Sequence, residues 1–228
     1  MDFAIRIFGE INIGGITIYI TETMTTTWLI MALLIGFAIV VRIKSNKWNA
    51  LGKPTGLQNF LELCIGGFEN LFKSNAGEKV GYLSSWFFSL FVFMMLANMV
   101  GVVGLRPPTA DWGLTFPLAV SSFMLFQFAG FRYRPKEYAK SFFAPSPIFF
   151  PLNLMGELAR PIALSFRLFG NIVGGVVLMS LLYGLAPIVL SILLGGFLHI
   201  YFDIAVGILQ AFIFIVLSLT FIGIAAGD

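Results

Sequence analysis

The sequence predicts an all-α integral membrane protein, a single membrane domain over residues 1–228 with about five transmembrane helices. Hydrophobic residues make up 58% of the 228 residues and charged residues 11%, whereas soluble domains carry about 25% charged residues. The mean hydropathy is +0.93. At about 20 residues for each spanning helix, this length accommodates about five to seven spans and leaves no separate soluble domain. Most of the chain is therefore expected to lie in lipid.

The first span follows a polar arm over residues 1–25. This arm lacks the basic start and the apolar run of a cleavable signal peptide. From about Thr27 to Ile43 the sequence is apolar, and Arg42 and Lys44 close the stretch. This pattern predicts span one.

Residues 44–81 form the only long polar stretch of the sequence. Within it, LQNFLELCIGGFENLF places apolar residues at helical spacing against Glu62 and Glu69. The pattern is typical of an amphipathic helix at a membrane surface. The stretch also holds the single cysteine of the chain, Cys64, which excludes a disulfide framework and a cysteine-based metal cluster.

Two further apolar stretches predict spans two and three. Leu83–Leu105 has no formal charge and is followed by Arg-Pro-Pro at 106–108, which cannot continue a helix because proline lacks the amide donor. Trp112–Phe131 ends in RYRPKEYAK, a short loop with four basic residues.

Past Pro145 the chain forms two stretches, 147–186 and 187–226, of about 40 residues each. One upright crossing needs about half that length. Each stretch is therefore either two short spans or one long helix oblique to the bilayer, and the pattern leaves both possibilities open. The Gly-Leu-Ala-Pro sequence at 184–187 predicts a hairpin turn between them.

The loops predict the orientation, because cytoplasmic loops carry the excess of lysine and arginine. Ten basic residues lie in the segments 42–79 and 132–140, and two, Arg6 and Arg106, lie on the opposite side. We therefore expect the amphipathic segment and the second basic loop in the cytoplasm and the N-terminal arm outside. With five spans, the C-terminus is then cytoplasmic.

Five titratable side chains fall inside the apolar stretches, where a charge costs about 2.5–3.5 kcal/mol or more. Glu157 and Arg160 lie one helical turn apart and can pair. Arg167 has no acidic residue three or four positions away, so its counter-ion has to come from another helix or another polypeptide. The remaining two are His199 and Asp203. Such a group on two adjacent helices predicts an ion path.

The last helix carries polar residues along one stripe, because His199, Asp203 and Gln210 are spaced by four and seven residues. In an antiparallel hairpin, Gln210 lies near the depth of Arg167, and the other polar side chains fall on either side of that arginine. The outer set is His199, Asp203 and Asn171, and the inner set is Asn153 and Glu157. One fixed positive charge between two polar sets predicts two separate cavities and not a continuous pore.

Two sequence runs stand out on the last two predicted helices: ELARPIALSFRLFGN at 157–171 and ILQAFIF at 208–214. Together they resemble the signature of subunit a of F-type ATP synthases. The resemblance implies that Arg167 is the essential charge facing the rotor ring and that Gln210 is its partner on the next helix.

The sequence departs from that family at one position of the outer cavity. Members commonly have a carboxylate about nine residues past the arginine, where this chain has Val176. We interpret Asp203 as that carboxylate, moved across the helix pair. The resemblance also implies that 147–226 is a tilted helical hairpin that follows the rotor ring.

The resemblance further implies ion translocation through two offset half-channels, coupled to rotation of the c-subunit ring and to ATP synthesis. The chain is then a non-catalytic channel subunit of the bacterial inner (plasma) membrane, without a cofactor or metal. The implied partners are the c ring, the b-subunit peripheral stalk, the rest of the synthase and membrane lipid, but no nucleic acid. Ring residues on another chain mainly select the ion, so H⁺ and Na⁺ both stay open, and we favour H⁺ on prevalence.

A secondary ion or solute transporter is the alternative, since it also buries charged residues. Such a transporter is expected to show paired halves or interrupted helices, and no repeat relates residues 1–114 to 115–228. A haem-binding respiratory subunit is less favoured because the sequence has one histidine, whereas a quinone site stays open.

Overall fold

The structure, a computed structural model, describes residues 7–13, 16–46, 48 and 56–227. Within these residues, five helices are long and apolar enough to cross a membrane. They are Glu22–Ser45, Gly81–Val103, Trp112–Tyr133, Pro147–Leu185 and Leu193–Ala226. The prediction of an all-α membrane protein with about five transmembrane helices is confirmed.

The helices follow one another with short connections. In chain order they are α1 (Glu22–Ser45), α2 (Gly56–Ala76), α3 (Ser84–Met99), α4 (Trp112–Tyr133), α5 (Pro135–Ser141), α6 (Phe150–Leu185), α7 (Ile188–His199) and α8 (Gly207–Ala226). A π-helical segment, Ile200–Val206, joins α7 to α8 without a break. Short 3₁₀ turns precede α3, α4 and α6, and another follows α3.

The N-terminal arm contains a β-hairpin that the sequence pattern did not predict. Strand β1 (Ile7–Ile13) pairs antiparallel with β2 (Ile16–Thr21), and Glu10 lies opposite Tyr19. Isoleucine and threonine recur in these strands, and such β-branched residues favour extended backbone. The arm is therefore a small two-stranded sheet ahead of the first span.

Helix α1 begins at Glu22, earlier than the predicted start of span one at about Thr27. The Thr21 hydroxyl accepts a hydrogen bond from the Met24 amide at 3.4 Å and caps the helix. The hydroxyls of the following threonines, from Thr25 on, donate to carbonyls one turn back. Because these hydroxyls are satisfied within the helix, the polar first turn can continue into the apolar span.

The predicted amphipathic helix is present as α2, although residues 47 and 49–55 of that segment lie outside the described part of the chain. Its buried residues are Phe68, Phe72 and Ala76. All three lie in the second half of α2, which packs against α3 and α8. The second half therefore belongs to the helical bundle, and the largely exposed first half is the part expected at the membrane surface.

The two long stretches each form one continuous helix, and this resolves a choice that the sequence left open. Helix α6 has 36 residues and continues through Pro161. At 1.5 Å per residue it is about 54 Å long, whereas the hydrocarbon core measures about 30 Å. It therefore has to lie oblique to the bilayer or extend beyond it. The chain turns at Ala186 and Pro187, inside the predicted hairpin turn.

Helix α8 lies at the centre of the bundle, with α2, α3 and α4 packed against it. Half of the last span is buried, compared with 11% of the first span. Phe214, Ile215 and Leu219 of α8 are almost fully buried in one cluster with Phe87 of α3. Helix α6 packs mainly along α4, so its opposite face remains at the surface of the bundle.

Two groups of contacts mark the ends of the bundle. At one end, the Thr23 hydroxyl of α1 donates to the Asp111 carboxylate ahead of α4 at 3.1 Å. At the other end, the Tyr133 hydroxyl donates to the Lys79 carbonyl at 2.8 Å, and the Lys79 ammonium donates to the Gly227 carbonyl at 3.3 Å. The basic residues that flank α3 and α4 therefore meet at the end where α8 finishes, opposite the start of α1.

Candidate ion pathway

Arg167 lies on the outward face of α6. Leu164, Ser165 and Leu168 of the same helix are buried, whereas Phe166 and Arg167 are exposed at the surface of the bundle. Among the residues that the structure describes, no side chain forms an ion pair or a hydrogen bond with the Arg167 guanidinium. This permanently charged group therefore stands on an apolar helix without a counter-ion from the described chain.

Gln210 faces Asn171 across the contact between α8 and α6. Asn171 Nδ2 donates to Gln210 Oε1 at 2.7 Å. Gln210 is 3% exposed, and its Nε2 has no hydrogen-bond partner within the described residues. Asn171, which the sequence suggested as a member of the outer set, is thus paired with Gln210, one helical turn past Arg167.

His199 and Asp203 form a pair where α7 changes into the π-helical segment. His199 Nδ1 lies 2.8 Å from Asp203 Oδ2, and 34% and 19% of the two side chains are exposed. The carboxylate also lies close to Gly101, in the 3₁₀ turn that follows α3. Single π-helical segments occur frequently at functional sites, and this one holds the carboxylate of the outer set.

Gly175 on α6 packs against the ring of Phe202 in the π-helical segment. The next residue on α6 is Val176, and the next residue in the π-helical segment is Asp203. Val176 of α6 and Asp203 of the π-helical segment therefore lie at about the same level of the helix pair. Val176 is the position at which α6 lacks a carboxylate, and Asp203 is the carboxylate on the last helix.

Glu157 and Arg160 are paired, as their spacing on α6 predicts. Arg160 Nη1 lies 2.9 Å from Glu157 Oε1, and its guanidinium carbon lies 4.8 Å from the centre of the Phe221 ring on α8. Gln127 of α4 donates to Glu157 at 3.5 Å and accepts from the Tyr138 hydroxyl at 2.8 Å. Burial, with a smaller contribution from Glu157, raises the pKa of Tyr138 to about 12, so this hydroxyl stays a donor at neutral pH.

A cavity of about 590 Å³ opens beside this network. Glu157 and Asn153, the two members of the predicted inner set, both line it together with Arg160. Asn153 Nδ2 donates to the carbonyls of Phe142 and Ala144 at 2.9 and 2.8 Å. Asn153 therefore fixes the connection ahead of α6 and leaves its amide oxygen as the group that can face the cavity.

Asn98 is a residue of this region that sequence reasoning missed. It is fully buried at the end of α3, donates to the Gly207 carbonyl at 2.8 Å and accepts from the Thr109 hydroxyl at 2.7 Å. Because Gly207 begins α8, Asn98 fixes the backbone where the π-helical segment ends. The available signal was an amide side chain inside a predicted span, and Gln127 carries the same signal.

Residues 24–223 match the sequence model of the family described as ATP synthase A chain. The chain belongs to the ATP synthase subunit a family. The matched residues include every side chain of the candidate pathway described above.

Relatives of subunit a align along most of the chain. Subunit a of Oleidesulfovibrio alaskensis is 35% identical over 216 residues, which cover 92% of this chain and 88% of the relative. ATP synthase subunit a 2 of Syntrophotalea carbinolica is 32% identical over 206 residues, which cover 88% and 84%. The sodium ion specific subunit a of Propionigenium modestum is 34% identical over 226 residues, which cover 92% and 75%.

As a subunit a, the chain is the ion-translocating stator subunit of the membrane sector of ATP synthase. It is a non-catalytic channel subunit of that complex and a multi-pass membrane protein. The resemblance seen in the sequence and the function that it implies at this level are confirmed.

Proposed function

We propose that this subunit a conducts protons through two offset half-channels and that Arg167 is the charge between them. The observation that most strongly supports this is the exposed guanidinium on α6, which no described residue of the chain neutralises. A charge facing lipid costs about 2.5–3.5 kcal/mol or more. A ring of c subunits that presents carboxylates to this face provides the missing counter-ion.

The two polar sets form the two half-channels. Protons enter from outside past His199, Asp203 and Asn171 and load a carboxylate on the ring. The ring turns, and the proton leaves to the cytoplasm through the cavity of about 590 Å³ beside Glu157 and Asn153.

Arg167 performs two electrostatic tasks in this scheme. Its charge favours the ionised form of an arriving ring carboxylate and so releases the proton. It also repels cations that would pass directly between the half-channels. At 1.5 Å per residue, Arg167 lies about 15 Å along α6 from Glu157. It lies about 14 Å from Val176, the residue of α6 that is level with Asp203. Neither carboxylate is therefore close enough to neutralise the guanidinium. One charge crossing 100 mV is worth about 2.3 kcal/mol, so several protons must cross for each ATP.

Gln210 and Asn171 form the polar contact next to Arg167 on the route between the two sets. An unpaired buried donor costs about 1–3 kcal/mol, and the Gln210 Nε2 group is such a donor within the described chain. A ring carboxylate, or a water held near Arg167, provides its acceptor in the complex.

Asp203 acts as the outer carboxylate in place of one on α6. The contact between Gly175 and Phe202 supports this assignment, because it puts Val176 and Asp203 at the same level of the helix pair. His199, 2.8 Å away, has an imidazole ring in which one nitrogen can carry a proton and the other can accept one. The pair therefore has the chemistry that a proton relay needs.

We place the end of the bundle with Lys79 and Tyr133 in the cytoplasm of a bacterial cell, with the N-terminal hairpin outside. The support is the hydrogen bond that joins the two basic segments at this end, since cytoplasmic loops carry the excess of basic residues. The c ring and the b-subunit peripheral stalk are the proposed contacts within the complex.

Thiol labelling tests this orientation. In a Cys64→Ser background, Lys136→Cys is expected to react with a membrane-impermeant maleimide in inverted vesicles, and Thr17→Cys in right-side-out vesicles. Both positions are exposed and lie at opposite ends of the bundle. The Cys64→Ser protein without a new thiol is the control for background labelling. Reaction of both thiols from one side would contradict the proposed topology.

Reconstituted ATP synthase tests the identity of the ion. We expect ATP-driven acidification of vesicles at full rate without added Na⁺, and no protection by Na⁺ against a carbodiimide that modifies the ring carboxylate. An uncoupler is expected to abolish the acidification signal. A requirement for Na⁺ would overturn the proton assignment and would place this subunit with its sodium ion specific relative.

Family membership favours the synthase over a secondary transporter. Many secondary transporters consist of two related halves around one site at the membrane midplane. Here a single helix, α8, lies at the centre of α2, α3 and α4, and this arrangement does not match two related halves.

A further inference from the structure

We propose that Gly101 is a positioning residue for the Asp203 carboxylate. Its missing side chain leaves the space in which the carboxylate lies against the turn after α3 while it stays paired with His199. This inference rests on the proposed role of Asp203 as the outer carboxylate. It adds the second span to the half-channel that the sequence assigned to the last two helices alone.

Two residues, Gly101 and His199, contact the Asp203 carboxylate. A Cβ atom on Gly101 would lie 2.9 Å from Asp203 Cγ and Oδ1 and 3.0 Å from Oδ2. Favourable contacts between non-bonded heavy atoms lie near 3.5–4.0 Å, so a single added methyl group has to displace the carboxylate. The same carboxylate is in contact with His199, whose Nδ1 lies 2.8 Å from Oδ2.

The local backbone does not require glycine at position 101. Gly101 lies in the 3₁₀ turn Val100–Val103, and the glycines with positive φ within the described chain are Gly77, Gly104 and Gly227. Alanine can therefore adopt the backbone of position 101 without left-handed strain. Glycine is needed at position 101 because a side chain there would occupy the space of the Asp203 carboxylate.

Asn98 keeps the two elements together. It lies one turn before Gly101 and donates to the Gly207 carbonyl at 2.8 Å. A Cβ atom on Gly207 would lie 3.0 Å from Asn98 Cβ, so the backbones already approach closely here. Because this contact fixes the end of the π-helical segment, a methyl group at position 101 is accommodated by the Asp203 side chain and not by separation of the helices.

A displaced carboxylate loses its function while the fold is kept. Aspartate has a short side chain, and Asp203 is 19% exposed in its present position. Rotation away from Gly101 breaks the contact with His199 or changes the access of the carboxylate to water. Either change interrupts proton transfer from the outside to the ring.

The first test is Gly101→Ala in the assembled ATP synthase, with Gly36→Ala as the matched control. Gly36 lies in the middle of α1, and a Cβ atom there meets nothing within 4 Å. We expect Gly101→Ala to slow proton entry from outside by about tenfold, in the range of couplings between direct neighbours. Gly36→Ala is expected to leave the rate unchanged. Equal rates for the two variants would overturn the inference.

A thiol readout separates this inference from the proposed function. In a Cys64→Ser background, the thiol introduced by Asp203→Cys is alkylated from outside, and its rate is measured with and without Gly101→Ala. We expect a change of at least about fivefold, and none with Gly36→Ala. An unchanged rate overturns the positioning role, whatever the proton flux. A changed rate with normal proton entry in Gly101→Ala supports the positioning role and overturns Asp203 as the entry carboxylate.

Combination with Asp203→Ala distinguishes positioning from general packing. If Gly101→Ala by itself fails to assemble, the smaller side chain in Asp203→Ala removes the clash and is expected to restore the assembled complex. Continued failure of the double variant overturns the inference, because the methyl group then clashes with something other than the carboxylate.

Discussion

Replacing Arg167 with alanine is expected to abolish ATP-driven proton pumping and to raise passive proton leak by about tenfold or more. The guanidinium is exposed on α6 without a partner among the described residues, so its removal leaves the rest of the bundle intact. In the proposed mechanism, this fixed positive charge repels cations that would pass directly between the half-channels, so its loss opens that route. Pumping and leak are measured in vesicles that contain the purified complex.

Arg160→Ala is the matched control, since both arginines lie on α6 two turns apart. Arg160 is already neutralised by Glu157 and rests on the Phe221 ring. Its loss is therefore expected to leave the passive proton leak unchanged, whatever its effect on proton exit beside Glu157. Unaltered coupling in Arg167→Ala, or an equal rise of the leak in both variants, would contradict the role proposed for Arg167.

Replacing Asp203 with asparagine is expected to slow proton entry from outside by about tenfold or more while the complex still assembles. Asparagine keeps the size of the side chain and can still accept from His199, but it cannot take up and release a proton. The contact at 2.8 Å is then a hydrogen bond without a relay. Initial rates of proton uptake after external acidification give the entry rate, and co-purification with the other subunits gives the extent of assembly.

Asp111→Asn is the control for this substitution. Asp111 is also a carboxylate at the end of the bundle proposed to face outward, but it accepts from the Thr23 hydroxyl and from the Gly113 amide and caps α4. Asparagine caps helices about as well as aspartate, so this variant is expected to pump normally. If Asp203→Asn also pumps normally, the entry route lies elsewhere.

The spans were predictable because the hydropathy of about 20 successive residues decides whether a helix lies in lipid. The start of α1 at Glu22 was not, because it depends on the Thr21 cap and on threonine hydroxyls bonded within the helix. The β-hairpin ahead of α1 was missed for a related reason. Its strands are short, and their pairing contributes no long apolar run to the hydropathy pattern.

The candidate residues Arg167 and Asp203 were predictable because charged side chains in an apolar stretch are rare and costly. The contacts between the polar side chains of the candidate pathway were only partly predictable. The pairs Glu157–Arg160 and His199–Asp203 lie within one helix, where the spacing of three or four residues implies contact. The pairing of Asn171 with Gln210 joins two helices, and its register depends on how α6 and the last helix pack.

The sequence by itself determined which segments can span the membrane, which titratable side chains these segments contain, and the family to which the chain belongs. These properties depend on composition, spacing and motifs over short distances along the chain. Only the tertiary structure decided that each long stretch is one helix, that Arg167 faces outward, and that Gly101 of the second span lies against Asp203. The contact between Gly101 and Asp203 joins residues about 100 positions apart. It depends on how α8 packs among its neighbours, and no local sequence pattern encodes that packing.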